Sequence, residues 1–233
     1  MIDVRPSPIS GTWYPGDPET LAQSIDHYLN DIVITPLLGE LKGVIVPHAG
    51  HRYSGQVAAH AFRYLEGLTP EVVAVISPLH HPHLGQVLTT GHDAYGTPLG
   101  NVPVDHALLQ RFEAELNENG GIEVSYVRND GEHSLEIELP FLQRVLPQPF
   151  RLLPLMLRDQ SRPTVEAVGH ALGKVLIDQS AILVASSDLS HFYPQPMAQR
   201  LDAEVLSRIE AYDPSGVLSA EEEGLGFACG RAA

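Results

Sequence analysis

The stretch Lys42-Gly-Val-Ile-Val-Pro-His48-Ala-Gly-His51-Arg-Tyr-Ser-Gly55 decides the fold of this chain. Residues 44–46 are a short apolar run with β-branched side chains, which predicts a buried strand. Pro47 has no N–H to give a ladder and ends the pairing. His48 therefore stands just past the strand's C-terminal end. Gly50 and Gly55 keep the following turn small, and from about Ser54 the spacing of Val57, Ala58, Ala61, Phe62 and Leu65 predicts a helix. Ligands of open α/β sheets bind at the carboxyl ends of the strands, so His48 is a candidate for chemistry. The plainer alternative is a turn histidine that caps a neighbour.

The same arrangement recurs twice downstream. A strand over 71–77 ends in Ser77-Pro78-Leu-His80-His81-Pro82-His83. Three histidines in four residues resemble a metal-ligand cluster, of which one or two can point inward; the alternative is a solvated polar loop. A strand over Ala181–Ser186 ends in Ser186-Ser187-Asp188-Leu-Ser-His191. A carboxylate and an imidazole three residues apart can bind a metal or serve as orienter and base, or the Asp can simply cap the next turn. In a parallel sheet these strand ends share one edge. Two His and one anionic ligand with open positions suit a divalent transition metal.

Between these strands lie helices. Asp17-Pro18-Glu19 is an N-cap, a Pro at the first turn and an acid beside the positive helix end; Leu21, Ile25, Tyr28 and Leu29 form that helix's apolar face. Asp105 caps a helix through about Leu116, Arg162-Pro163 opens one to about Asp178, residues 195–210 are amphipathic, and Asp213-Pro214 starts a short one. Ser134 is placed as N-cap of a helix carrying Leu135, Leu139, Leu142 and Val145, with Pro140 bending it or shifting its start. His133 and Glu136 share one face there, as site residues or as a capping pair. Further strands are expected at 87–90, 122–127 and 151–157, with a Gly/Pro-punctuated ribbon over 95–104. Residues 1–16 have little regular pattern, and Trp13 is expected on the edge of the core. The alternation predicts a mainly parallel central sheet with helices on both faces, in one domain spanning 1–233.

Composition narrows the function. The chain has 233 residues, 43% of them hydrophobic, enough for a real core. Its formal net charge of −15, from 14 Lys+Arg against 29 Asp+Glu, argues against nucleic-acid or anionic-membrane partners, which need concentrated positive charge. No apolar run approaches the ~20 residues of a membrane span. The N-terminus lacks a signal-peptide core, and a single Cys fits a reducing cytoplasm. A phosphate-binding Gly-rich loop, a Gly-x-Ser-x-Gly elbow and a His-Glu-x-x-His motif are absent.

The motifs Gly11-Thr-Trp-Tyr-Pro, Val46-Pro-His-Ala-Gly50, Tyr53-Ser-Gly55, Ala59-His-Ala61, His80-His81, Glu132-His-Ser-Leu-Glu136, Leu139-Pro-Phe141, Ser186-Ser-Asp188, His191 and Cys229-Gly-Arg231 run nearly the whole chain. In this order they resemble the Memo family, also called AmmeMemoRadiSam system protein B. The resemblance implies the fold of class III extradiol dioxygenases. It implies a pocket in which His48, His80 and Cys229 bind a metal, iron first, with copper or zinc as alternatives. Asp188 and His191 would line that pocket and His133 with Glu136 would lie near it. Read without the family, Cys229 is an inert buried thiol. Family members usually carry Tyr where His51 stands, so His51 adds a ligand or a polar wall. Relatives also continue beyond the Cys-Gly-Arg, so the chain is expected to lack their C-terminal segment, and a ligand four residues from an end is expected to fray.

Three functions follow as expectations. The first is a non-haem metal-dependent oxidoreductase, dioxygenase-like, acting on a small-molecule or peptide ligand, with Asp188, His191 and His133 as catalytic groups. The second is a hydrolase using water activated by Zn²⁺ or Mn²⁺. The third is a non-catalytic metal- or peptide-binding protein acting with a radical-SAM partner.

Overall fold

The computed structural model describes residues 2–147 and 150–233. In chain order the elements are β1 (Val4–Arg5), α1 (Pro18–Asn30), β2 (Gly43–Val46), α2 (His51–Phe62), β3 (Val72–Pro78), β4 (Val87–Thr90), β5 (Ala94–Thr97), β6 (Gly100–Pro103), α3 (His106–Gly120), β7 (Val124–Val127), α4 (Leu139–Val145), β8 (Arg151–Leu157), α5 (Arg162–Leu176), β9 (Ala181–Ser186), α6 (Gln195–Glu210) and α7 (Pro214–Glu222). A six-stranded sheet runs β2-β9-β3-β8-β4-β7, and a small sheet runs β1-β5-β6. The large sheet is parallel except for the antiparallel β4–β8 pair.

Chain connectivity places helices on both faces. The β2–α2–β3 crossover moves one way along the sheet and β8–α5–β9 moves the other. Right-handed crossovers in opposite directions put their helices on opposite faces. α1, α2 and α4 pack together, and α3 packs on α5. Central β3 is buried throughout, as its Val-rich run requires of a strand covered on both sides. Gly55 lies where α2 crosses α1: an added Cβ would sit 2.8 Å from the Tyr28 ring.

The helix starts follow the expected chemistry at three caps. Asp17, Asp105 and Asp213 accept hydrogen bonds from the backbone N–H groups of Thr20, Leu108 and Gly216.

Four local expectations need correction. β2 is an edge strand with Ile45 52% exposed; a three-residue apolar run does not reveal which strand lies outermost. α2 begins at His51, a turn earlier than its apolar spacing indicates, with Gly50 as N-cap. That places His51 on the helix's inner face. The helix expected from Ser134 begins only at Leu139, after a 3-10 turn over Glu136–Glu138. Pro140 sits in its first turn, the position where a missing N–H costs nothing. Residues 4–5, read as irregular, pair in parallel with β5.

Candidate metal centre

The sheet order brings three loops together. β9 lies between β2 and β3, and all three are parallel. Their C-terminal ends therefore open side by side, carrying His48 after β2, His80 after β3 and Ser186 to Asp188 at the end of β9. The rings of His48 and His80 lie 5.3 Å apart. His133 joins them, 5.6 Å from His48 and 4.7 Å from His80 between ring centres. Trp13 covers His133 at 4.1 Å and so walls this group as well as packing on the core edge.

Cys229 reaches the same place from the other end of the chain. Its Sγ lies 3.1 Å from His48 Nε2. One ligand atom from each of His48, His80 and Cys229 falls within 4.8 Å of the others. A tetrahedral metal with one imidazole and one thiolate ligand holds those two atoms about 3.6 Å apart, so the donor set and its spacing fit a transition-metal ion.

The C-terminal segment is hydrogen-bonded to the loop after β9. Cys229 N–H donates to the Asp188 carbonyl, Gln160 Nε2 donates to the Cys229 carbonyl and Gly230 N–H donates to Ser187 Oγ. Ala228 and Ala232 are buried. Gly230 permits the approach: an added Cβ would collide with the Ser186 carbonyl oxygen and come within 2.8 Å of Ser187 Cβ.

Each imidazole is oriented from behind. His48 Nδ1 lies 2.8 Å from Ser186 Oγ, and its backbone N–H donates to Asp188 Oδ1 at 2.8 Å. His80 Nδ1 lies 2.9 Å from Glu132 Oε1. Glu132 also accepts the backbone N–H groups of His80, His133 and Ser134. A second set, His80, Glu132 and His133, has ligand-like spacing too. Glu132 Oε1 is already crowded with donors, so this carboxylate reads better as the group that orients His80 than as a ligand.

Burial and charge divide the titrating groups. Burial pushes His48 down to about 4, against the pull of Asp188. His80 is pushed up to about 10, first by the Cys229 sulfur and then by Glu132. Burial lowers His133. Burial opposes ionisation of Glu132, but the donors from His80 and the backbone prevail and hold it below the usual carboxylate range. Glu138 goes the opposite way: burial raises it well above that range, and the Asp188 charge adds to this.

The loop carrying these groups is locked by β1. Buried Arg5 donates to both carboxylate oxygens of Asp130, to the Glu132 carbonyl and to Glu136 Oε2 at 2.5 Å. Tyr14 Oη donates to Glu136 Oε1 at 2.7 Å. Glu136 thus faces this network, while its neighbour on the expected shared face, His133, faces the imidazoles.

The remaining sequence-predicted residues fall at different distances from this centre. Asp188 borders it, with Oδ2 4.0 Å from His48 Nε2. His191 is exposed; its Nδ1 lies 2.9 Å from the Leu189 carbonyl and its ring packs edge-on to Phe227. His51 turns away: its Nε2 meets the Ile137 carbonyl at 3.1 Å and its ring packs on Phe141 and Tyr14. His81 and His83 are exposed beside a separate groove lined by Tyr126 and Arg128. Four contributors had no site role in the sequence reading: Glu132 and Ser186 stood only within motifs, Ser134 only as an N-cap, and Glu138 had no role at all. No local signal marked the buried carboxylates: alternation of Glu136 and Glu138 with Leu135, Ile137 and Leu139 reads as one apolar and one solvent face, yet the fold buries both glutamates.

An α/β domain with imidazoles and a thiol gathered at the C-terminal ends of parallel strands defines the class. Within it, a family model described as Memo-like protein matches residues 5–233, and the chain belongs to that family. It is 34% identical over 229 residues to the MEMO1 family protein of Methanopyrus kandleri, covering 94% of this chain and 80% of that relative. It is 34% identical over 238 residues to that of Methanothermobacter thermautotrophicus, covering 97% and 84%. Against the MEMO1 family protein of Aquifex aeolicus identity is 33% over 216 residues, covering 89% and 74%. Among the described residues no helix is long and apolar enough to cross a membrane.

Proposed function

We propose that His48, His80 and Cys229 hold a divalent transition-metal ion, iron first, and that the chain carries out oxygen-dependent redox chemistry on a small ligand. The observation that carries this is the approach of His48 Nε2 to Cys229 Sγ at 3.1 Å, with His80 completing the trio. Thiolate and imidazole together favour iron, copper or zinc over magnesium or calcium. Iron or copper would supply one-electron and dioxygen chemistry. The chain's own groups supply the rest. Ser186 and Glu132 aim the two imidazoles. Trp13 and the β1-anchored loop keep bulk water from one side. Asp188 and His133 border the trio and are suited to hold or pass a proton at the ligand. His191, exposed beside Phe227, would exchange that proton with solvent.

The test is anaerobic reconstitution with Fe²⁺, and separately with Co²⁺ as a spectroscopic probe. One ion per chain and a thiolate-to-cobalt charge-transfer band are expected, the band disappearing in Cys229→Ser and binding falling at least tenfold in His48→Ala. Unchanged binding in both variants would overturn the proposal. Turnover of an ester or phosphoester panel that persists without oxygen and with Zn²⁺ would move the reading to a hydrolase.

A further inference from the structure

The hydroxyl of Ser186 has one proton to give and two lone pairs to share. Three groups crowd it: the Ser134 carbonyl oxygen at 2.6 Å, His48 Nδ1 at 2.8 Å and Glu138 Oε1 at 2.9 Å. A carbonyl oxygen only accepts, and this one is nearest, so it takes the hydroxyl proton. The other two neighbours must then each bring a proton of their own. For His48 that means Nδ1–H. For Glu138 it means a carboxylic acid. An ionised Glu138 would set its negative oxygen against a hydroxyl lone pair in a fully buried place. Among the described residues no Lys or Arg is paired with it, since Arg5 is taken by Asp130 and Glu136. Burying an unpaired charge costs far more than burying a neutral acid.

We propose that Glu138 is a neutral carboxylic acid and a positioning residue, acting through Ser186 to fix His48 as its Nδ1–H tautomer. The consequence is local and definite. With the proton on Nδ1, His48 Nε2 keeps a bare lone pair directed at the space it shares with Cys229. Three separate parts of the chain make this arrangement: the loop after β2, the end of β9 and the turn before α4. The tautomer stands on the hydrogen-bond count alone; its use, a lone pair offered to a metal, rests on the metal reading above.

Two measurements on the metal-free full chain test the assignment. Long-range ¹⁵N–¹H correlation spectra of histidine-labelled protein report each tautomer, with His48→Gln identifying the His48 signals. We expect Nδ1–H for His48. An infrared difference spectrum between the wild type and Glu138→Gln at neutral pH should lose a carboxylic-acid carbonyl band. Finding His48 as Nε2–H, or losing carboxylate bands instead, overturns the proposal; the tautomer is read on the wild type, so it holds even if the variant folds poorly. Zn²⁺ competition against a chromophoric chelator reads the consequence. Glu138→Gln, still a neutral donor, should bind within about threefold of the wild type, while Glu138→Ala and Ser186→Ala should lose about 10- to 100-fold. Expected spectra with no metal binding even in the wild type would leave the tautomer standing and sink the metal reading instead.

Discussion

His51 shows how one side chain can be misplaced by a sequence that identifies its neighbours well. Three residues after His48, it looks like a second arm of the same site. Because α2 begins at His51 itself, the ring points into the layer between Tyr14 and Phe141. Burial pushes it down to about 4, with the Ile137 carbonyl opposing. The folded state therefore resists protonation that the unfolded state, near 6.5, accepts. Its contribution is fully present above about pH 6.5 and is lost as pH falls toward 4. Replacing His51 by Gln, which keeps a donor for Ile137, should flatten this part of the profile. Urea unfolding at pH 7 and pH 4.5 should reveal a wild-type loss larger than the variant's by on the order of 2 kcal/mol. Equal slopes would mean that the ring gains its proton without penalty. Glu132 offers a second test at this scale. As the group behind His80, it should tolerate Gln poorly: Zn²⁺ affinity is expected to fall about 10- to 100-fold, as for other orienting carboxylates.

At the scale of elements, the short strand β1 matters more than its length implies. Its Arg5 ties Asp130, Glu132 and Glu136 to one guanidinium, and so holds the loop from which His133, Ser134 and Glu138 are presented. Arg5→Met should leave buried carboxylates unpaired and cost about 3–5 kcal/mol in chemical denaturation. A smaller loss would mean that the loop is held by its apolar contacts. The C-terminal turn, which has no regular structure, positions a candidate donor, Cys229. Gly230→Ala should push the 226–233 segment off β9 and draw Cys229 away from His48. The thiolate-to-cobalt band should then weaken while unfolding stability changes by much less than in Arg5→Met. A strong band in that variant would show that the segment shifts without losing its aim.

Across the whole molecule, the proposed site would link metal binding to the fold. An ion held by His48, His80 and Cys229 would cross-link segments about 180 residues apart, from His48 to Cys229. An ion bound to the native state alone stabilises it by about 2.7 kcal/mol at a hundred times its dissociation constant. Hydrogen exchange should slow in residues 226–233 on adding Zn²⁺ and recover with a chelator; protection confined to the β2 loop would place the ion away from Cys229.

The sequence by itself determined most of the elements, missing β1 and the starts of α2 and α4, and the strand ends at which the candidate ligands gather. Local chemistry sufficed for that: Pro47 ends a strand, Asp17 caps a helix, and β-branched runs alternate with apolar stripes of helical period. It also put His48, the cluster His80/His81/His83 and Asp188 just past strand ends; the choice of His80 within its cluster, and of Cys229, came from the family resemblance. Only the tertiary structure decided that β9 lies between β2 and β3, that His133 and not His51 faces the imidazoles, and that Glu138 and Ser186 stand behind His48. Those outcomes depend on which buried polar groups find partners across more than a hundred residues of chain, and no periodicity within a strand or a helix records that pairing.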